Sequence, residues 1–362
     1  MTQREQQILQ WIREDPMISQ EALAERAGIT RSSVGVHISN LMKKGHILGK
    51  GYLLPASRYV AVAGAVNVDI GGRSKGPLVP RDSNPGRVTV SLGGVGRNIA
   101  HNLTLLGVKV HLLTALGEDV HARQIEHSCQ TLDIDLSRVL RVPEGATSTY
   151  LFLSDQGGDM VLAVSDMDIY EKLTPDYFAR HLAFLNGAAL VVADANLPAE
   201  SLVYLAEHCT APLFVDPVST VKGEKVRPIL GKLHTFKPNR LEAELLSGVK
   251  ITDRASLEQA ARVLLDTGLE RLFLSLGAEG VYAADHREQV LVPCCPARVK
   301  NATGGGDAFA AALAWAWLEG KNLADSALAA NAAAAIAVEG EETINPILSP
   351  EEVGRRMKQM EV

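Results

Sequence analysis

Three consecutive glycines run into an aspartate at 303-TGGGD-307, and an alanine-rich helical pattern begins at once. The first amides of a helix lack intrahelical partners and sit at the positive end of its dipole. Gly304, Gly305 and Gly306 can turn such amides onto an anion, because no side chain stands in the way. Each glycine costs conformational entropy on ordering. An aspartate in a first helical turn contributes only ~0.3–1 kcal/mol, so a plain helix start leaves the glycines unexplained. The chemistry that uses all four residues is phosphoryl transfer. Asp307 takes the proton of a hydroxyl that attacks a phosphoryl group bound by the amides. The Walker A pattern GxxxxGK[ST] does not occur in the chain.

Four other stretches carry candidate chemistry. In 64-GAVNVDI-70 a strand ends in glycine and presents Asn67 and Asp69. That is where parallel α/β sheets bind ligands, and the pair suits a polyhydroxyl compound; a solvated turn is the alternative. In 93-GGVGRNIAHNLTLLG-107, Gly94 allows a close approach to backbone and Asn98 offers a donor and an acceptor. The segment lies too far from strand 59–64, and lacks the later acidic residue, to be a dinucleotide fingerprint; a tight turn into a helix remains open. In 236-FKPNRLEAELLSG-248, Pro238 favours an extended Lys237. Asn239 and Glu242 there have capping-box spacing. They are also oxygen ligands of the kind a hydrated magnesium ion and phosphates meet. Finally, 271-RLFLSLG-277 runs into 277-GAEGVY-282, where Ser275 and the glycine-flanked amides could hold a nucleotide phosphate.

Positioning these residues requires an α/β scaffold. Short runs apolar on both faces, 59-YVAVAG-64, 109-KVHLLTAL-116, 189-ALVVAD-194, 213-LFVDP-217 and 271-RLFLSLG-277, are separated by helix-length segments. This pattern predicts a mostly parallel sheet with helices on both sides. Residues 70–92 and 148–164 break the rhythm with alternating strands and predict a small β-lid over one end of the sheet. The lid's exposed strands offer a homodimer surface.

Residues 1–57 have another texture. Helices are expected over about 2–14, 19–28 and 30–45, followed by a hairpin over 46–55 and a linker at 55–58. This arrangement resembles a winged helix-turn-helix, whose third helix enters the major groove through its first residues. Those residues are Thr30, Arg31, Ser32 and Ser33, with Lys43, Lys44 and Lys50 placed for phosphates. Double-stranded DNA is the partner this motif takes, and a protein surface is the alternative. Residues 1–57 hold seven Lys/Arg against five Asp/Glu, whereas the remainder holds 29 against 37. The basic excess is small for a protein whose DNA affinity comes from neutralised phosphates.

Composition narrows the classes. Hydrophobic content of 46% with 22% charged residues is that of a globular chain with a substantial core. No apolar run approaches a bilayer-spanning length, and residues 1–20 lack a signal-peptide pattern. The four cysteines show no paired or zinc-site spacing. A cytoplasmic protein with free thiols and no membrane partner is expected.

Taken in order, 64-GAVNVD-69, 93-GGVGRN-98, 237-KPNRLE-242, 275-SLGAEG-280 and 303-TGGGDAF-309 resemble the ribokinase-like (PfkB) carbohydrate and nucleoside kinases over residues 58–350. Within that family, 82-DSNPGR-87, 192-VADANL-197 and 213-LFVDPVS-219 are similar to the pseudouridine kinases. The resemblance implies ATP and Mg2+ as cofactors and a small nucleoside or sugar as substrate. It makes Asp307 the base and Gly304, Gly305 and Gly306 the anion hole. Asn67, Asp69, Gly94, Asn98 and Asn196 would bind substrate. Asn239 and Glu242 would serve magnesium and phosphate, Ser275, Gly277 and Gly280 the ATP phosphates, and Asn331 the adenine. Asn301 stands where the family often has an aspartate that helps hold a monovalent cation, which weakens the expectation of potassium activation.

Overall fold

The computed structural model describes residues 1–47, 49 and 58–360, in two compact units, Met1–Arg58 and Tyr59–Val362. The expected boundary at 57/58 lies within one residue of this division. Most of the hairpin expected over 46–55, Lys50 included, and of the linker lies outside the described residues.

The first unit holds the three expected helices, Gln3–Glu14, Gln20–Ala27 and Arg31–Lys43. Thr2, Ser19 and Thr30 cap them through side-chain oxygens, and Gly28 ends the second in the left-handed conformation. Ile8, Leu9, Ile12, Leu23, Val34, Ile38 and Leu41 fill its core. Full burial of each such side chain contributes roughly 1.5–3 kcal/mol.

In the second unit the apolar runs form a nine-stranded sheet. From one edge its order is Gln289–Val292, Val281–Asp285, Arg271–Ser275, Thr235–Phe236, Leu213–Asp216, Leu190–Asp194, Tyr59–Ala63, Lys109–Leu113 and Ile134–Asp135. The first two strands are antiparallel to their neighbours and the remainder pair in parallel. Two apolar clusters cover the two faces, one built on the alanine-rich helices Gly305–Leu318 and Leu323–Val338. Alanines fill most of both helices and are buried, with Phe309, Leu313, Trp315 and Ile336 among the larger buried members. The run 109–116 breaks at Thr114, and Ala115–Leu116 pairs instead with Leu140–Arg141 in a separate small sheet.

The lid is a four-stranded sheet ordered Gly86–Gly93, Asn67–Ser74, Thr149–Ser154, Met160–Asp166. It begins earlier than the sequence suggests. Asn67 and Asp69 belong to a lid strand, not to the carboxyl edge of Tyr59–Ala63, because residues 64–66 already turn the chain out of the central sheet.

Candidate active site

The strand order reverses beside Tyr59–Ala63, and the carboxyl ends of the parallel strands on either side converge on one crevice. Such a reversal is where open α/β sheets bind ligands. Each strand ends in a polar residue there. Asp194 and Asp216 close two adjacent strands in direct register, and Lys237 directly follows Thr235–Phe236. The Lys237 Nζ lies 3.3 Å from Asp216 Oδ2 and is largely buried. Burial works to lower its pKa, but Asp216, Glu242 and Asp307 outweigh that and hold the ammonium above its ordinary value.

Asp307 enters from above in the first turn of Gly305–Leu318. Asn98 Nδ2 donates to its Oδ2 at 2.8 Å. Burial, with Asp216 and Asp194 nearby, pushes the Asp307 carboxyl up to about 7, against the pull of Asn98 and Lys237. Asn98 Oδ1 is buried with no partner among the described residues. A buried acceptor left unmade is costly, so this atom suits a ligand hydroxyl.

Among the described residues no group accepts from the amides of Gly305, Gly306 and Asp307. The helix is capped by Gly304 at φ 87°, without a side-chain cap. A Cβ on Gly304 would come within 2.1 Å of Thr343 O, so glycine is required twice over. A Cβ on Gly306 would sit 3.4 Å from Lys237 Nζ, which places the ammonium beside the free amides. Asn301 steadies the loop. Its Oδ1 accepts from Thr303 N at 2.9 Å and its Nδ2 donates to Glu341 O at 3.3 Å.

The substrate-side residues gather at the root of the lid. Asn67 donates to Asp69, whose carboxyl burial raises to about 6. Gly94, at φ 95°, lies against the opposite lid connection; its Cβ would reach Ala65 O at 2.5 Å and Val66 Cα at 2.6 Å. Gly96 packs on Gly64 in the same way. Tyr170 clasps Val66, accepting from its N–H at 2.8 Å and donating to its carbonyl. Asp194 accepts from Ala65 N at 2.8 Å and Asn196 N at 2.9 Å, and burial raises its pKa. Asn196 accepts from Lys222 Nζ, a lysine whose pKa burial lowers. Between Asp216 and Lys222 the chain turns sharply at Val218, which takes φ 65°, with Ser219 N bonded to Pro217 O at 2.6 Å. Strain at a β-branched residue beside a site is stored where geometry must be held.

Other candidates carry structural roles as well. Asn239 and Glu242 make the reciprocal capping box of Arg240–Ser247, so both local readings of that motif have substance. Glu242 commits Oε2 to Asn239 N at 2.7 Å. Ser275 N donates to Pro238 O at 3.0 Å, which ties that strand end to the Lys237 loop. Gly277 and Gly280 both take positive φ, and a Cβ on Gly280 would strike Val292 O at 2.0 Å. Asn331 donates to Pro293 O at 2.6 Å and accepts from Cys295 N at 3.2 Å, fixing the loop after Gln289–Val292. All four cysteines are free.

Sequence reasoning passed over Asp194, Asp216, Lys237 and Lys222. The available signal was position: the first three end or directly follow apolar strand runs, where a polar residue must face the crevice.

In the first unit, Thr30 caps the third helix and pairs with Ser33. Arg31 is ion-paired with Glu21 at 2.9 Å. Lys44 bonds Glu5 at 2.7 Å and, together with the Thr2 backbone, holds that carboxyl down at about 2. Lys44 is therefore a poor phosphate contact, whereas Lys43 has no ion pair among the described residues.

Comparison with known proteins agrees with this geometry. The profile of the pfkB family carbohydrate kinases matches residues 57–350, and that of a winged helix-turn-helix DNA-binding family matches residues 1–47. The sugar kinase YeiI of Escherichia coli (strain K12) is 38% identical over 353 residues, covering 96% of this chain and 97% of the relative. The pseudouridine kinase of the same organism is 41% identical over 293 residues, 80% of this chain and 94% of the relative. The fold of an Arabidopsis thaliana ribokinase, solved with ribose and ATP, superposes with a TM-score of 0.75 at 21% identity, covering 83% and 99% of the two chains. The chain belongs to the pfkB family of carbohydrate kinases, phosphotransferases with a hydroxyl acceptor, and carries a winged helix-turn-helix segment ahead of the kinase fold.

Proposed function

We propose that this protein phosphorylates the primary, 5′-type hydroxyl of a nucleoside with ATP, and that Asp307 is the general base. The observation that carries the reading is the placement of the Asp307 carboxylate, held by Asn98 beside three unpaired amides and the Lys237 ammonium. Asn67, Asp69, Asn98 and Asn196 hold the ribose, with Gly94 giving it room. The hydroxyl oxygen bonds to the γ-phosphorus, the bond to the bridging oxygen of ADP breaks, and the proton passes to Asp307. General-base help contributes roughly 10²–10⁴-fold. Amides of Gly305 and Gly306, with Lys237, receive the charge on the transferred group, and positioning with such electrostatics supplies most of the remainder.

Among nucleosides, pseudouridine leads, in keeping with the 41% identity to a pseudouridine kinase, and inosine or guanosine follow. A free sugar is the alternative substrate. Ser275, Gly277, Gly280 and Asn331 shape the ATP side. Oxygen donors suit magnesium, and the buried Glu242 carboxylate, with Asn239 beside it, fits a hydrated ion. Bound there, magnesium would neutralise phosphate charge. The side-chain amide of Asn301 bridges the two loops itself, which argues against a dependence on potassium.

Asp307→Asn tests the assignment. Turnover on a panel of nucleosides and sugars falls by at least ~10²-fold while ATP binding by calorimetry persists; turnover within a few-fold of wild type would refute the base. A DNA-binding role can coexist with catalysis. Salt-sensitive binding of duplex DNA, reduced by Lys43→Ala, supports it, and kinase turnover without such binding excludes it.

A further inference from the structure

The lid contains an arrangement that its own stability does not explain. Arg73 and Arg87 lie directly opposite each other across the antiparallel pair Asn67–Ser74 and Gly86–Gly93. Like charges in that position destabilise a sheet. Arg73 is partly accounted for, since its Nη2 donates to Gln156 O at 2.8 Å and its guanidinium rests near Gly158. Exposed Arg87 meets no acceptor among the described residues.

The two-residue period of a strand puts Asn67, Asp69, Gly71 and Arg73 on one face. Register extends that face to Ser91, Thr89 and Arg87 on one side and to Tyr150 and Phe152 on the other. A cavity of about 470 Å³ opens there, lined among others by Gly71, Arg73, Arg87, Thr89 and Phe152. Gly71 lets the Phe152 ring lie on the backbone, for a Cβ would come within 2.5 Å of it. An aromatic platform and an unpaired guanidinium therefore follow Asp69 along the same surface. Asp69 and Arg73 are separated by roughly 13 Å at ~3.3 Å per residue, a span that a nucleoside and the reach of an arginine side chain fill together.

We propose that Phe152 and Arg87 form the subsite that reads the nucleobase, Phe152 as stacking platform and Arg87 as donor to the far edge of the base. This rests on the nucleoside reading given above. A guanidinium has donors only, so it pairs with carbonyl oxygens and ring-nitrogen acceptors and leaves an exocyclic amino group unmatched. The same match underlies arginine's preference for the O6/N7 edge of guanine. Bases with a keto edge, of the uracil and hypoxanthine type, are the substrates; cytosine and adenine are disfavoured.

Steady-state kinetics of the full chain on uridine against cytidine, inosine against adenosine, pseudouridine, and free ribose provides the test. Wild type prefers the keto member of each pair by about tenfold or more in kcat/KM. Arg87→Gln raises KM for keto nucleosides by about tenfold and brings the keto/amino ratio towards one. Arg87→Lys, which keeps a donor, restores part of the preference. Phe152→Ala raises KM for all nucleosides alike. A structural role for Arg87 would instead shift KM for ATP and lower the melting midpoint; under this proposal KM for ATP keeps its wild-type value and the midpoint of Arg87→Gln does not fall, because the substitution relieves a like-charge pair. If wild type phosphorylates nucleosides and Arg87→Gln alters neither KM nor ratio, the subsite is wrong and the nucleoside reading stands. If wild type phosphorylates ribose but no nucleoside, the nucleoside reading itself fails and takes the subsite with it.

Discussion

Asp307 must be ionised to accept a proton, yet the folded protein holds its carboxyl near 7. The free-enzyme profile of kcat/KM should therefore show an acid limb with an apparent pKa near 7. Lys237→Met removes a charge that lowers this value, so the limb should move to higher pH. Stability carries the same signature with a definite sign. Between the ordinary value of 3.8 and about 7 the unfolded chain gives up its proton while the folded one retains it, so folding weakens as pH rises. Asp307→Asn should accordingly stabilise the fold at pH 8, by roughly 1–2 kcal/mol after allowance for partial exposure, and not at pH 3.5. Melting midpoints of both proteins at the two pH values check this. At the residue scale the sequence singled out Asp307, because three glycines next to a carboxylate are costly without a purpose, and Asn98, because its amide offers a donor and an acceptor at a helix start. It did not point to Lys237 or Asp216. Lys237 read only as an extended residue before Pro238, and Asp216 only as the end of a strand run, until the strands are laid side by side.

Among the elements, the loop from Lys300 to Gly304 has the most stringent geometry. Lys300 N and Asn301 N both donate to Val338 O, and Gly304 touches the backbone of Thr343. Gly304→Ala introduces both a clash and an unfavourable φ, for a cost of about 2–4 kcal/mol. If the displaced amides are those that meet the phosphoryl group, as proposed, kcat should fall far more than ATP affinity, as single-turnover and binding measurements would reveal. Elements were legible where burial is two-sided: Tyr59–Ala63, Leu190–Asp194 and Leu213–Asp216 are buried throughout. Thr235–Phe236, only two residues long, has no periodicity to detect. The lid's start at Asn67 was hidden because Val66 and Val68 are as apolar as the strand before them, and only the Gly64–Gly96 contact shows where the chain leaves the sheet.

For the whole molecule, charge and composition place a division near residue 57, and the compact units meet at Arg58/Tyr59. What the pattern could not supply was the use of each surface. Val88, Val90, Leu162 and Val164 stand exposed on the lid face opposite Asp69. An apolar patch of this kind marks an interaction surface, and a second copy of the chain is the proposed occupant. Val90→Asp combined with Leu162→Asp should convert a dimer into a monomer in sedimentation or light scattering; an unchanged mass would refute the assignment. Residues 59–362 have their own core, so removal of the first unit should leave kcat/KM within about threefold.

The contact of Gly64 with Gly96, and of Gly94 with Ala65, bears on how such an enzyme can change over time. At that root no side chain can be added, so the ends of the lid that reach the reacting atoms are fixed in place. In the outer lid Gly71 and Gly86 are held in the same way, against the Phe152 ring and the Arg73 carbonyl, whereas the side chains of Arg87 and Phe152 themselves are not enclosed by backbone. New substrates can therefore be acquired by replacing the canopy residues while the chemistry beneath is left intact, which makes the lid the part of this molecule to randomise in a selection for altered specificity.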